Sequence, residues 1–242
     1  MKRVIVMGAT SGMGREVAQM YIADGWQVGV AGRRIDALEE LCALAPERVF
    51  AERIDVTESE APAALLRLIE RVGGMDVYFH SSGVGTQNPE LVTDVELHVM
   101  ATNGDGFVRM ITTAFNFLKN NGGGRIAAIT SIAGTRGLGV SPAYSSTKRM
   151  QNTYIDALAQ LSNMHGYGIR FTDIRPGFVA TPLLNNGRHY PMLMPSHKVS
   201  RAIYRAVQRG RRRVVIDWRF ALLVALWRLI PSWLWERLPV RN

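Results

Sequence analysis

The sequence predicts an α/β fold, a single doubly wound parallel sheet of about seven strands with helices on both faces. Three observations carry that expectation. Short, wholly apolar runs alternate with longer amphipathic stretches along most of the 242 residues. A glycine-rich turn follows the first apolar run. No linker, repeat or low-complexity tract interrupts the alternation, so the core is expected to be continuous.

The strands are expected at 4–7, 28–31, 49–54, 77–79, 125–130, 169–174 and 214–216. They read as runs rather than alternations because a parallel strand in such a sheet is covered on both faces. Helices are expected near 13–23, 36–45, 60–72, 94–119 and 142–165, where apolar residues recur at helical spacing. The stretch 181–196 holds three prolines with Asn and Gly, and reads as a loop with a short helix. The opening MKRVIVMGAT is charged and then apolar, but its run at 4–7 is too short for a signal peptide. It reads as the first strand.

Cys42 is the single cysteine, which excludes an intramolecular disulfide and fits a reducing compartment. The expected location is cytoplasmic, with peripheral contact on the membrane face. The net charge of +9 is unevenly spread. From His197 to the C-terminus there are eleven Lys/Arg against Asp217 and Glu236, and the rest of the chain is neutral. A neutral body with a basic end expects an acidic partner: anionic lipid, nucleic acid or an acidic protein.

The loop MGATSGMGREV places Gly8, Gly12 and Gly14 between the first strand and first helix. Glycine there permits a tight turn and close backbone approach to a phosphate, and the helix N-terminus offers N–H groups to a pyrophosphate. The spacing is G-x-x-x-G-x-G, which a plain strand–helix turn could also carry; the strand before it and the helix after it favour a Rossmann-type fold. The end of the second strand selects the cofactor. An acid there would accept from a ribose hydroxyl, whereas a cation suits a 2′-phosphate. The sequence reads AGRRID, so Arg33 and Arg34 point to NADP(H), with Arg33 slightly favoured.

Tyr144 and Lys148 are four residues apart in AYSSTK, on one face of a helix. A cation near a phenol favours phenolate and brings its pKa toward the range useful for acid–base catalysis. Ser131 ends the apolar strand AAITS, and Asn103 lies upstream in ATNGDGF.

With these motifs in this order, and with Asp55 after the third strand and RPGFVATP after the sixth, the chain resembles the short-chain dehydrogenase/reductase family over about its first four-fifths. The resemblance implies a dehydrogenase or reductase acting on CH–OH/C=O groups, and calls for no metal. It implies that Tyr144 gives or takes the proton at the substrate oxygen. Lys148 binds the nicotinamide ribose and lowers the Tyr144 pKa. Ser131 orients the carbonyl. Asn103 holds a water that relays protons to Lys148. Gly8, Thr10, Ser11, Gly12, Met13 and Gly14 form the phosphate loop. Asp55 and Val56 flank the adenine, Ser82 and Gly83 the adenosine side. Pro176 and Gly177 pass beneath the nicotinamide, while Val179 and Thr181 hold its carboxamide. Two departures stand out: Met7 where the family has Thr, and HSSG at 80–83 where it has Asn-Asn-Ala-Gly. They are read as altered support beneath the cofactor, with His80 structural.

The family's substrate lid corresponds to 182–196. Its Leu183, Leu184, Tyr190, Met192, Leu193 and Met194 suit a lipophilic ketone or alcohol (a keto-lipid, steroid-like or long-acyl compound), or else simply close the lid onto the body. A homodimer or homotetramer is expected. His197, Arg201, Arg205 and Arg209 form a basic stripe, read first as a solvated face and alternatively as a dock for an acyl carrier protein, which would make the enzyme a ketoacyl reductase. A catalytically silent NADP-binding scaffold is the reading from a different class. Nucleic acid is not expected, since no stacking platform accompanies RGRRR.

The domain is expected to span 1–217, with 218–242 a Trp/Arg-rich extension outside the chemistry. Four of the five Trp lie between 218 and 235. Arg219, Arg228, Glu236 and Arg237 interrupt the apolar stretch, and Pro231 breaks its helix, so a membrane span ranks third. Interfacial membrane contact through 218–238 ranks first, and burial in an oligomer or against the body second.

Overall fold

The computed structural model describes residues 2–184 and 190–240. Seven strands form one parallel sheet: β1 (Arg3–Met7), β2 (Gln27–Gly32), β3 (Val49–Arg53), β4 (Val77–His80), β5 (Gly124–Ile129), β6 (Ile169–Arg175) and β9 (Arg213–Val215). Their order is β3-β2-β1-β4-β5-β6-β9. The chain reverses direction across the sheet between β1 and β4, and a crevice opens at the carboxyl ends of the strands there. Two-residue strands β7 (Val179–Ala180) and β8 (Met194–Pro195) pair separately and tie the lid's two ends together.

The period-2 geometry of β1 explains its unbroken apolarity. Val4 and Val6 enter one core with α1 (Gly12–Ala23), α2 (Ile35–Cys42) and α7 (Ser196–Gln208). Ile5 and Met7 enter the opposite core with α3 (Ala61–Arg71) and α5 (Phe107–Asn120). Met7 is fully buried in that second core, so its departure from Thr is a packing choice.

The long helix expected at 94–119 is α4 (Thr93–Met100) followed by α5, joined by a π-helical turn over Ala101–Gly106. Such turns insert an extra residue per turn and recur at functional sites. Here the turn carries Asn103. Helix α6 (Pro142–His165) starts with Pro in its first turn and ends on Gly166 in the left-handed region.

The chain beyond Asp217 forms α8 (Trp218–Leu229) and α9 (Ser232–Trp235), and it packs on the body. Phe220 is fully buried in the first core and Val224 nearly so. The Trp227 indole donates to Thr135 Oγ1 at 2.9 Å, and the Trp235 indole to the Gly137 carbonyl at 2.8 Å. Arg136 donates to the carbonyls of Trp227, Arg228 and Ile230, closing the C-terminal end of α8. Among the described residues, no helix is long and apolar enough to cross a membrane.

Candidate active site

The glycine loop is shaped by close contacts rather than by composition alone. Gly8 has φ +87°, and a Cβ there would lie 2.6 Å from the Ser82 nitrogen. A Cβ on Gly14 would lie 2.2 Å from the Gly8 carbonyl oxygen. The loop, Ser82 and the start of α1 therefore pack backbone to backbone. Ser11 precedes α1 without capping it, and no acid lies in the first turn. The N–H groups there are left to an anion. This arrangement fits a pyrophosphate-bearing cofactor, with Gly12, Met13 and Gly14 at the helix end.

Arg33 and Arg34 are exposed just beyond β2. Arg34 donates to Thr10 Oγ1 at 3.0 Å, which holds its guanidinium over the loop. Arg33 acts on Asp55 from a distance. Burial pushes the Asp55 carboxyl up, but bonds from Thr57 and the charges of Arg33 and Arg53 leave it lower than usual. Thr57 gives Asp55 both its N–H and its hydroxyl, at 3.0 and 2.7 Å. Val56 is buried beneath Gly106, where a Cβ would meet its methyl at 2.7 Å. On the far side, Thr181 lies against Gly12, Val179 is buried, and the Pro176 carbonyl accepts from Ile132.

Asn103 is fully buried and pairs with the loop after β4 in both directions. Its Nδ2 donates to the Val84 carbonyl at 2.7 Å, and its Oδ1 accepts from the Val84 N–H at 2.9 Å. A Cβ on Gly83 would stand 3.2 Å from Asn103 Oδ1 and 3.6 Å from Lys148 Nζ, so Gly83 lies at the same corner. His80 is buried beneath it. Its Nδ1 lies 3.1 Å from the Tyr78 hydroxyl. Burial, with Lys148 nearby, pulls the imidazole down to about 3. It is therefore a neutral group at ordinary pH, as a structural histidine would be.

Ser131, Tyr144 and Lys148 converge at the ends of β5 and α6. Lys148 Nζ lies 5.6 Å from the centre of the Tyr144 ring. Burial pulls the Lys148 ammonium down to about 8, while the Asp173 charge works against that fall. The amine remains protonated at neutral pH. For Tyr144 the expected direction is corrected. Burial pushes its phenol above the ordinary value, and a hydrogen bond with Ser131 only partly opposes this. Desolvation of the phenolate outweighs the help a cation at this separation gives. The phenol is held in its proton-donating form.

Beneath these residues lies a buried polar cluster that reading the sequence did not identify. Thr130 donates to Asp173 at 2.6 Å, and Asn152 donates to both Asp173 oxygens at 3.2 Å. Arg175 closes the cluster through Nε and Nη2 at 2.8 and 2.5 Å. The cluster links the residue before Ser131, the residue four after Lys148, and the residue before Pro176. Polar side chains on the inner face of α6 were the available signal.

The lid at 182–196 divides, and its residues 185–189 lie outside the described ones. Tyr190 and Met194 are buried, and Tyr190 packs against Phe178, so these close onto the body. Leu183 and Leu193 stay exposed, and Leu183 reaches Gly85 beside the Tyr144 ring. The tail also touches the site's frame. A Cβ on Gly177 would meet the Phe220 ring at 2.4 Å, so the tail's first turn underlies the Pro176–Gly177 step.

The model of the short chain dehydrogenase family matches residues 2–190. An uncharacterized oxidoreductase of Myxococcus xanthus is 28% identical over 242 residues, covering 97% of this chain and 95% of that protein. The similarity thus runs past the family model into the tail. A short-chain dehydrogenase of Streptomyces avermitilis superposes with TM-score 0.81 at 23% identity, covering 93% of this chain and 92% of that one. A 3-ketoacyl-ACP reductase of Sinorhizobium meliloti superposes with TM-score 0.79 at 26% identity, covering 91% and 99%. On the family match, the fold and the relatives together, the chain belongs to the short-chain dehydrogenase family and is an oxidoreductase.

Proposed function

We propose that the protein is an NADP(H)-dependent carbonyl reductase or alcohol dehydrogenase acting on a lipophilic ketone or secondary alcohol. The observation that carries this is the meeting of Ser131, Tyr144 and Lys148 at the crevice, with the phenol kept protonated. When bound, the cofactor supplies or takes the hydride. Ser131 holds the carbonyl oxygen and Tyr144 donates to it as negative charge develops. Lys148 stays charged beside the phenol and compensates the phenolate left behind. Arg33 and Arg34, with no acid at that strand end, support a 2′-phosphate over a free ribose hydroxyl. The exposed Leu183 and Leu193 support an apolar substrate.

The test is NADPH oxidation across sphingoid, steroid and acyl ketones. Tyr144→Phe is expected to lower kcat by about 10²–10⁴-fold, the usual worth of a positioned proton donor. If no ketone is turned over by the wild type, the silent NADP-binding scaffold replaces this reading. Arg33→Ala should narrow the gap between NADPH and NADH affinity in a fluorescence titration.

A second element of the proposal is that the protein is cytoplasmic and works at an anionic membrane surface. At 100° per residue, Trp218, Leu222, Leu226 and Leu229 share the outer face of α8, with exposures of 74, 52, 56 and 79%. Arg219 and Arg228 flank that stripe on either side. An apolar stripe with Trp and flanking Arg suits the headgroup boundary. Vesicles containing phosphatidylserine should float the wild type but not Leu222→Ser/Leu226→Ser. Equal flotation sinks the membrane reading. A smaller sedimentation size in that variant would assign the face to a second copy in a homodimer or homotetramer. The exposed stripe His197, Arg201, Arg205 and Arg209 favours one alternative, a ketoacyl reductase served by an acidic carrier protein.

A further inference from the structure

We infer that Gln151 is a positioning residue of the active site, whose side-chain amide fixes the Lys148 ammonium to the π-helical turn carrying Asn103. The inference rests on the catalytic reading of Tyr144 and Lys148 given above.

Gln151 lies one helical turn beyond Lys148 on α6 and is 0% exposed. Lys148 Nζ donates to Gln151 Oε1 at 3.1 Å and to the Ile129 carbonyl at 3.2 Å. Gln151 Nε2 donates to the Asn103 carbonyl at 2.8 Å. One carboxamide thus spans from the ammonium to the backbone of the turn. A primary amide buried without partners is strongly disfavoured, because it loses its hydrogen bonds to water and gains none. A Leu or Met would fill this volume without that cost. Gln fits the place because one side presents a donor and the other an acceptor, and a neutral carboxamide answers both with fixed geometry.

The bridge joins the two residues between which the family resemblance implies a water. An amide gives and takes hydrogen bonds but does not hand on a proton. Gln151 therefore holds Lys148 rather than relaying to it. Its Oε1 favours the charged amine, in the same sense as Asp173 on β6; His80 on β4, neutral at ordinary pH, and the phenol of Tyr144 on α6 face it without charge. Burial has already drawn that amine down to about 8, so a lost acceptor moves its protonation into the working pH range.

The experiment uses the full chain labelled with [ε-¹³C]lysine. The protein has four lysines, at 2, 119, 148 and 198, and Lys148→Met assigns the resonance. In Gln151→Met, Lys148 should titrate about one pH unit lower, the equivalent of one hydrogen bond to a charged group. In Gln151→Glu it should titrate higher, since a carboxylate replaces the amide oxygen. Gln151→Glu keeps the side chain's shape and stands alone if the Met variant does not fold. With a ketone that the wild type reduces, Gln151→Met should lower kcat about tenfold with ketone KM unchanged, and the basic limb of the pH profile should move with the Lys148 midpoint. Midpoints equal to wild type in the folded variants overturn the inference, because a residue that merely packs would leave them in place. Moved midpoints in a protein that reduces no ketone uphold the bridge and remove the catalytic reading instead.

Discussion

Helices α6 and α8 both border the candidate active site, and their polarity is inverted relative to each other. The inner face of α6 is polar: Ser145, Thr147, Lys148, Gln151 and Asn152 are all buried. The outer face of α8 is apolar, with Trp218, Leu222, Leu226 and Leu229 in solvent. Each inversion runs against the hydrophobic effect. In α6 most of the cost is offset within the molecule, since Lys148, Gln151 and the Asn152 Nδ2 find partners in Asn103, Ile129, Thr130 and Asp173, and the Asn152 Oδ1 alone of these is left without one. In α8 nothing within the described chain covers the outer stripe. The first helix therefore marks chemistry done inside the fold, and the second marks a surface completed from outside.

The largest effect is expected where α6 meets the buried ion pair. Asp173→Ala leaves Arg175 charged, buried and unpaired, and should cost about 3–5 kcal/mol, read as a fall in the urea midpoint. A smaller loss would mean that Arg175 reaches solvent in the variant. Next comes a pH dependence. Lys148 has a folded pKa of about 8 against an ordinary 10.5, so between those values the unfolded chain binds more protons. Stability from this group therefore rises with pH across that window and is flat below it. Thermal scans of the wild type and Lys148→Met should converge as pH climbs from 8 toward 10.5. Parallel curves would show that the amine is better solvated than its surroundings imply.

Effects on α8 should be smaller. Trp227→Phe removes the bond to Thr135 while keeping most of the packing, and should cost about 1 kcal/mol. The outer-face double variant Leu222→Ser/Leu226→Ser should change stability by no more than about 0.5 kcal/mol, because those side chains bury little. A large loss there would break the contrast, by showing that the outer face is already covered within the fold.

Much of this arrangement was legible in the sequence. The strand runs fell within a residue or two of the observed strands, because burial on both faces leaves an unbroken apolar signature. Ser131, Tyr144 and Lys148 could be read because they sit on a strand end and one helix face, where spacing sets direction. The π-helical turn at Asn103 was not legible, since its residues continue a helical pattern. The depressed phenol pKa expected for Tyr144 was reversed, because neighbours can be read from spacing but desolvation cannot. The tail was read as lying outside the chemistry. Its Phe220 ring nevertheless underlies Gly177, and its Trp227 bonds Thr135 across 92 residues.

The sequence by itself determined the strand–helix order, the glycine loop, the arginines beyond β2 and the candidate side chains Ser131, Tyr144 and Lys148. These are local patterns, dictated by periodicity, steric freedom at glycine and side-chain chemistry. Only the tertiary structure decided what surrounds Lys148 and where the tail rests. Gln151 meets the Asn103 carbonyl across 48 residues, Asp173 meets Thr130 across 43, and one side of α8 is buried while the other is not. Such contacts arise when distant segments exclude water between them, and no local spacing carries that information.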